Sequence, residues 1–251
     1  MRLNVTENEL RNLYNSVFVG EEEFCREFFA RFYKEENAVI KRIGGNIVSA
    51  LHLIPVSLGC EKEKYSARYI FAAATKKEFR GKGYMSELIK EAIKRSKESN
   101  EDFVFLILGE ESLNGYYSRF GFQSVSSKKE TVVLPAAGSA EKADVSELKA
   151  RLDAAGGLHV IYGESFLYNM LKAYGAEIYC GFNSVCAVYT DGDFAVFPKS
   201  AGNEKEKLCS AVTELLKAKR GVICESSPVM VLPLNDRAGS VKHFDINFLL
   251  D

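Results

Sequence analysis

A chain of 251 residues is long enough for one or two domains, each able to bury a core of its own. Apolar residues make up 47% and charged residues 27%, an ordinary balance for a soluble globular protein, and the formal charge of −1 argues against nucleic acid or an anionic membrane as partner. No apolar run approaches the roughly 20 residues of a membrane helix, and the opening MRLNVTENEL has no apolar signal region, so a cytoplasmic location is expected.

In chain order, residues 7–18 place Leu10, Leu13, Tyr14, Val17 and Phe18 on one helical face. Residues 21–34 do the same with Phe24, Cys25, Phe28, Phe29 and Phe32, and Glu21–Glu23 favour the positive end of that helix. Apolar runs at 38–43 and 47–57 flank Gly44-Gly45-Asn46, which predicts a hairpin. Residues 58–66 (LGCEKEKYS) look like a polar connector. Residues 69–75 are apolar and suit a buried strand, residues 76–83 end in the basic turn Arg80-Gly81-Lys82-Gly83, and Met85, Leu88, Ile89, Ala92 and Ile93 then mark an amphipathic helix. A further buried strand is expected at 103–108, a helix through Tyr116 and Tyr117, and closing strands within 122–134.

Residues 135–141 (PAAGSAE) are the clearest shift in composition and the expected junction between a first domain, 1–135, and a second, 140–251. The second half reads as helices near 145–155 and 166–174, strands at 178–189 and 194–197 around Thr190-Asp-Gly-Asp193, a helix through Leu208–Leu216 and a strand at 222–224. That order echoes the first half. The six cysteines form no C-x-x-C pair, and with only three histidines no metal site is expected; buried reduced thiols fit better.

The strand–turn–helix at 69–99 has a chemical meaning. The first amides of a helix lack partners and sit at the positive end of its dipole, so a pyrophosphate fits there. Glycines let a ligand come close to the backbone. The spacing matches neither the nucleoside-triphosphate loop nor the dinucleotide fingerprint. Arg80-Gly81-Lys82-Gly83-Tyr84-Met85 instead resembles the R/Q-x-x-G-x-G/A segment of the Gcn5-related N-acetyltransferases (GNAT), with Met85 departing from its last position. Tyr117-Ser-Arg-Phe-Gly-Phe122 resembles that family's Y-x-x-x-G-F signature, in the expected order and spacing. The chain's closing residues are similar to the tails of bacterial tandem members related to the enhanced intracellular survival type, without their third domain.

The resemblance implies an α+β fold with a mixed sheet, followed by a second, degenerate GNAT-like domain that lacks a phosphate loop. It implies acetyl-CoA as the acyl donor and a primary amine of a small molecule or peptide as acceptor. By position, Ala73, Ala74 and Thr75 would meet the pantetheine arm through backbone, and Arg80, Gly81, Lys82, Gly83, Tyr84 and Met85 the pyrophosphate. Tyr117 matches the tyrosine that protonates the departing thiolate, with Tyr116 in reserve. For the general base, Asp251 as the chain's terminal carboxylate, His52, Glu110 and Glu111 stay open. The alternatives to an enzyme are a silent acyl-CoA-binding or regulatory module and a protein-interaction scaffold. Oligomeric state is not set by the sequence, and a homo-oligomer is compatible with it.

Overall fold

The computed structural model describes residues 5–60, 62–154 and 156–246. The first part of the chain forms α1 (Val5–Val17), α2 (Glu22–Arg31), β1 (Ala38–Ile43), β2 (Asn46–Cys60), β3 (Glu63–Thr75), α3 (Tyr84–Glu98), β4 (Phe103–Ile107), α4 (Asn114–Ser118) and β5 (Gln123–Ser124). The rest forms β6 (Lys129–Val133), β7 (Glu141–Lys142), α5 (Val145–Asp153), β8 (His159–Ile161), α6 (Glu164–Ala173), β9 (Glu177–Gly181), β10 (Ser184–Asp191), β11 (Phe194–Gly202), α7 (Lys205–Leu215), β12 (Arg220–Ser226), β13 (Val229–Pro233) and α8 (Asp236–Gly239).

Two compact units result, and their chain segments interleave. The first takes the residues up to Val56, Tyr65–Ser124 and Met230–Ser240; the second takes Ser57–Lys64, Val125–Val229 and the residues from Val241. In the first, the strands run β1-β2-β3-β4-β13-β5, with β1 and β2 antiparallel, β3 and β4 parallel, and β13 and β5 antiparallel. Strand alternation separates its two faces. Leu51 and Leu53 join Ile70, Leu88, Ile89, Val104, Leu106, Tyr117 and Phe122 in one apolar core under α3 and α4. His52, between them, turns to the opposite face against Phe28 and Phe29 of α2.

The second unit has a sheet of order β6-β12-β11-β10-β9-β7 whose core, including Cys186, Phe197, Leu208, Cys209, Val212 and Ile223, lies against α7. The far end of β2, Ser57–Gly59, pairs antiparallel with β8 in this unit. Its elements repeat the order of the first: two helices, antiparallel strands, then β11–α7–β12 with β11 and β12 parallel, as β3–α3–β4 are. Both sheets are therefore mixed, and the fold is mixed α/β. Among the described residues no helix is long and apolar enough to cross a membrane.

Four segments differ from the sequence reading. Residues 58–66, expected as a connector, continue β2 and open β3, because Leu58 and Tyr65 are buried and the polar run only tops the hairpin. The strand expected over 178–189 is two strands around Phe182-Asn183, both at positive φ in a tight turn. The strand expected at 194–197 runs on to Gly202 as β11. The span 122–134 divides: Gln123–Ser124 joins the first sheet, while Lys129–Val133 pairs with β12 in the second. The place between β4 and β5 goes to β13, whose Val229, Met230 and Val231 are fully buried. A strand covered on both faces must be apolar throughout, whereas Lys129-Glu130-Thr131 is tolerable only at an edge.

Asp102 fixes the late segment into the first unit. Its carboxylate accepts from the Ser66 amide at 2.9 Å and from Asn235 Nδ2 at 3.0 Å, with Arg237 at 3.6 Å, and its carbonyl accepts from the Leu234 amide at 2.8 Å. Asp102→Ala keeps the carbonyl but removes the carboxylate from the Ser66 amide, Asn235 Nδ2 and Arg237, and is expected to lower unfolding stability by about 3 kcal/mol, read as a fall in the urea midpoint. An unchanged midpoint would contradict the anchoring role.

Candidate functional site

The site is built where β3 ends. Its recorded pairing with β4 runs from Ala67↔Phe103 to Ile70↔Leu106, so residues 71–75 lie beyond that ladder. Just past it, Ala72 adopts φ +50°, a left-handed conformation that costs a non-glycine residue about 1–2 kcal/mol. The kink shifts the pleat by one: Ile70 and Ala73, rather than Ile70 and Ala72, pack on the core under α3. On the β2 side the strand end is held firmly. Ser49 Oγ donates to the Ala74 carbonyl at 3.1 Å and shares a hydrogen bond with Thr75 Oγ1 at 2.8 Å, and the Lys76 amide donates to the Val48 carbonyl at 3.0 Å. Since backbone groups alternate in direction along a strand, Ala73 and Thr75 turn theirs to the side from which β4 has departed.

A short turn at Lys77–Phe79 leads into the helix mouth. Gly81 and Gly83 have φ +75° and +81°, with open space where a Cβ would stand. Glycine is needed here for its backbone conformation, and the same open space leaves the chain approachable. Gly83 caps α3 in the left-handed region, and no side chain bonds to the helix start. The amides of the first turn therefore face outward at the positive end of a 15-residue helix. Arg80 Nε donates to the Thr75 carbonyl at 3.1 Å, tying turn to strand end, and Lys82 Nζ lies 4.9 Å from the Phe79 ring centroid. Glu87, the one acid in the first turn, is paired with Lys41 Nζ at 2.6 Å, which offsets its repulsion of an anion.

The third component is α4, only five residues long. Tyr117 is 8% exposed, packs in the apolar core with Phe122, and burial raises its hydroxyl to about 12. Tyr116 beside it shares a 3.1 Å hydrogen bond with Ser86 Oγ, in the first turn of α3. His52 is enclosed by the rings of Phe28, Phe29, Tyr33 and Phe71, and burial lowers it to about 4. Glu110 and Glu111 are exposed at a short turn, where Glu110 accepts from Ser112 Oγ at 3.1 Å. Asp251 lies outside the described residues.

The family model of the acetyltransferase (GNAT) domain matches residues 5–125, which span all three components. These residues are a GNAT acetyltransferase domain. The chain is similar in fold to a GCN5-related N-acetyltransferase from Kribbella flavida, with 14% identity, TM-score 0.72, 94% of this chain and 71% of that one covered. It is similar to Eis1 from Mycobacterium abscessus, with 9% identity, TM-score 0.68, and 95% and 74% covered. A third likeness is to Saccharomyces cerevisiae N-myristoyltransferase with bound myristoyl-CoA, at 13% identity, TM-score 0.62, and 91% and 79% covered. No curated protein matches the chain in sequence.

Within the GNAT domain, Ala73, Ala74 and Thr75 end the kinked strand, Arg80 through Met85 form the turn and helix mouth, and Tyr117 follows on α4. Sequence reasoning missed Ala72, since an alanine run carries no sign of a left-handed residue. It also missed Ser49, Ser86 and Lys41, whose roles arise from contacts between distant segments. At the corresponding place in the second unit, α7 begins after Glu204 with Glu206 in its first turn; the Glu204 amide already donates to Ser184 Oγ at 3.1 Å. Gly202 there backs directly on Ser184 rather than on open space. The six cysteines are reduced thiols outside any disulfide, with Cys25, Cys186 and Cys209 buried.

His52 yields a prediction about pH. Its folded value of about 4 lies below the ordinary 6.5, so the unfolded chain binds the proton more readily. The neutral form's stabilising effect is complete above pH 6.5 and is lost as pH falls toward 4. Urea unfolding of the intact protein should show a loss of about 2 kcal/mol between pH 7 and pH 5 from this group. His52→Phe should be less sensitive over that interval by the same amount; an equal loss in both proteins would contradict this.

Proposed function

We propose that the first unit moves an acetyl group from acetyl-CoA to a primary amine of a small molecule or peptide by direct attack, with Tyr117 as general acid. The observation that carries this reading is the uncapped mouth of α3, opened by two left-handed glycines, beside a strand end that has left its neighbour. These residues fit coenzyme A chemically. The first-turn amides of α3, flanked by Arg80 and Lys82, suit a diphosphate. Ala73, Ala74 and Thr75 would present backbone and small side chains to a pantetheine arm. The likeness to a transferase holding myristoyl-CoA supports an acyl thioester as donor.

When bound, the cofactor supplies an activated acyl carbon and a thiolate leaving group. The amine must be neutral to attack; its nitrogen forms the new bond to the acyl carbon while the carbon–sulfur bond breaks. The Tyr117 hydroxyl holds the proton that the departing sulfur needs, although burial, which raises it to about 12, makes it a weaker donor than an exposed tyrosine. The acceptor's proton goes to a base for which Asp251, Glu110 and Glu111 remain candidates. His52 would serve poorly, because its cage of aromatic rings keeps it from holding a proton near neutrality. We assign the catalytic role to the first unit and read the second as a degenerate GNAT-like domain without a phosphate loop. The enclosed His52 favours one second reading: an acyl-CoA-binding or regulatory module with no working base.

Release of free thiol from acetyl-CoA across a panel of amines separates the two. Tyr117→Phe is expected to lower kcat by roughly 100-fold while acetyl-CoA affinity stays within a few-fold. Gly83→Val, strained at φ +81°, should instead abolish detectable binding of coenzyme A in calorimetry. Full turnover in Tyr117→Phe would contradict the general-acid assignment, and full affinity in Gly83→Val the cofactor site.

A further inference from the structure

Tyr116 is not needed for the chemistry above, yet it is the residue of α4 bonded to the cofactor helix. A five-residue helix cannot hold its own position, because one turn fixes more backbone freedom than its hydrogen bonds return. Its placement must come from side chains. Tyr117 supplies an apolar anchor, which tolerates sliding and rotation. Tyr116 supplies a directional one: its hydroxyl meets Ser86 Oγ at 3.1 Å, three residues after the Gly83 cap. Its ring is further fixed at right angles to Tyr117, with centroids 5.2 Å apart at 81°, and by the Arg119 guanidinium 4.9 Å from its centroid.

We propose that Tyr116 is a positioning residue, its hydroxyl bond to Ser86 coupling the diphosphate-binding first turn of α3 to the helix that carries Tyr117. The proposal rests on the function proposed above and adds a connection that the motif itself does not contain. Ser86 occupies the third position of α3, where the backbone amide has no helical partner and the anion is expected. Ordering that turn around an anion orders the Ser86 side chain, and through one hydrogen bond fixes Tyr116 and the neighbouring tyrosine. The consequence is that the acid is held in place when the donor is present. Removing the Tyr116 hydroxyl should leave the mouth able to bind but loosen α4. A displacement of this kind, without loss of any reacting group, lowers turnover by roughly tenfold or more.

The test is hydrogen–deuterium exchange on the full chain with and without coenzyme A, comparing wild type, Tyr116→Phe and Ser86→Ala, with acetyl-transfer kinetics alongside. In the wild type, coenzyme A should slow exchange both over 81–90 and over 111–121. In each variant it should still slow 81–90 but no longer slow 111–121, with kcat lowered roughly tenfold and KM for acetyl-CoA within a few-fold. The double variant should be no worse than either single one, since both remove the same bond. Slowing at 111–121 that persists in Tyr116→Phe would overturn the coupling and leave the cofactor site standing. Failure of coenzyme A to slow 81–90 in the wild type would overturn the cofactor site and the coupling together.

Discussion

Everything in the first unit turns on a helix whose positive end is left open. A side-chain oxygen can close a helix's first turn, as Asp144 does for α5; α3 has a left-handed glycine there and no capping side chain. The orphan amides and the dipole are thus available to a ligand rather than consumed by the chain. The surroundings keep that field positive. Lys41 offsets Glu87, and Arg80 and Lys82 carry the neighbouring turn, so the charge beside this helix end is positive although the whole chain is near neutral.

An open helix end is useful only beside something for it to act on. The strand leading into it provides that by breaking two rules of a regular sheet. It keeps its bonds to β2 through Ser49 and Val48, and leaves β4 after Ile70. It also spends conformational energy on Ala72 at φ +50°. Strain of this kind survives where neighbours over-determine the backbone, and here the Ser49 bonds on one side and the core contacts of Ala73 on the other do so. The second unit repeats the order of elements, and β11 too runs on to Gly202 past its pairing with β12, which ends at Phe197, but there Ser184 fills the ground before α7. Repetition of a fold is therefore separable from repetition of a site.

The legible parts of the sequence were those set by local periodicity and by glycine. The helices α1, α2, α3 and α7, the Gly44-Gly45 hairpin and the basic turn before Tyr84 all follow from apolar spacing or from the need for positive φ. What stayed hidden depends on partners far along the chain. Nothing near Val229 announces that it opens the strand beside β4, because a four-residue apolar run fits many buried places. Nothing in KETVV excludes the first sheet until the more apolar competitor is known. The candidate tyrosines could be found from their motif, but the Ser86 contact that orients one of them spans 30 positions. His52 was open as a base because strand alternation alone does not reveal that four aromatic rings close over it.

The central claim is that the mouth of α3 holds the diphosphate of the acyl donor. Titration calorimetry comparing acetyl-CoA with S-acetylpantetheine, which keeps the thioester arm and lacks the diphosphate, tests it most directly. The account predicts saturable binding of acetyl-CoA and an affinity for the truncated thioester weaker by about two orders of magnitude or more, equivalent to about 3 kcal/mol. Equal affinity for the two thioesters would contradict it.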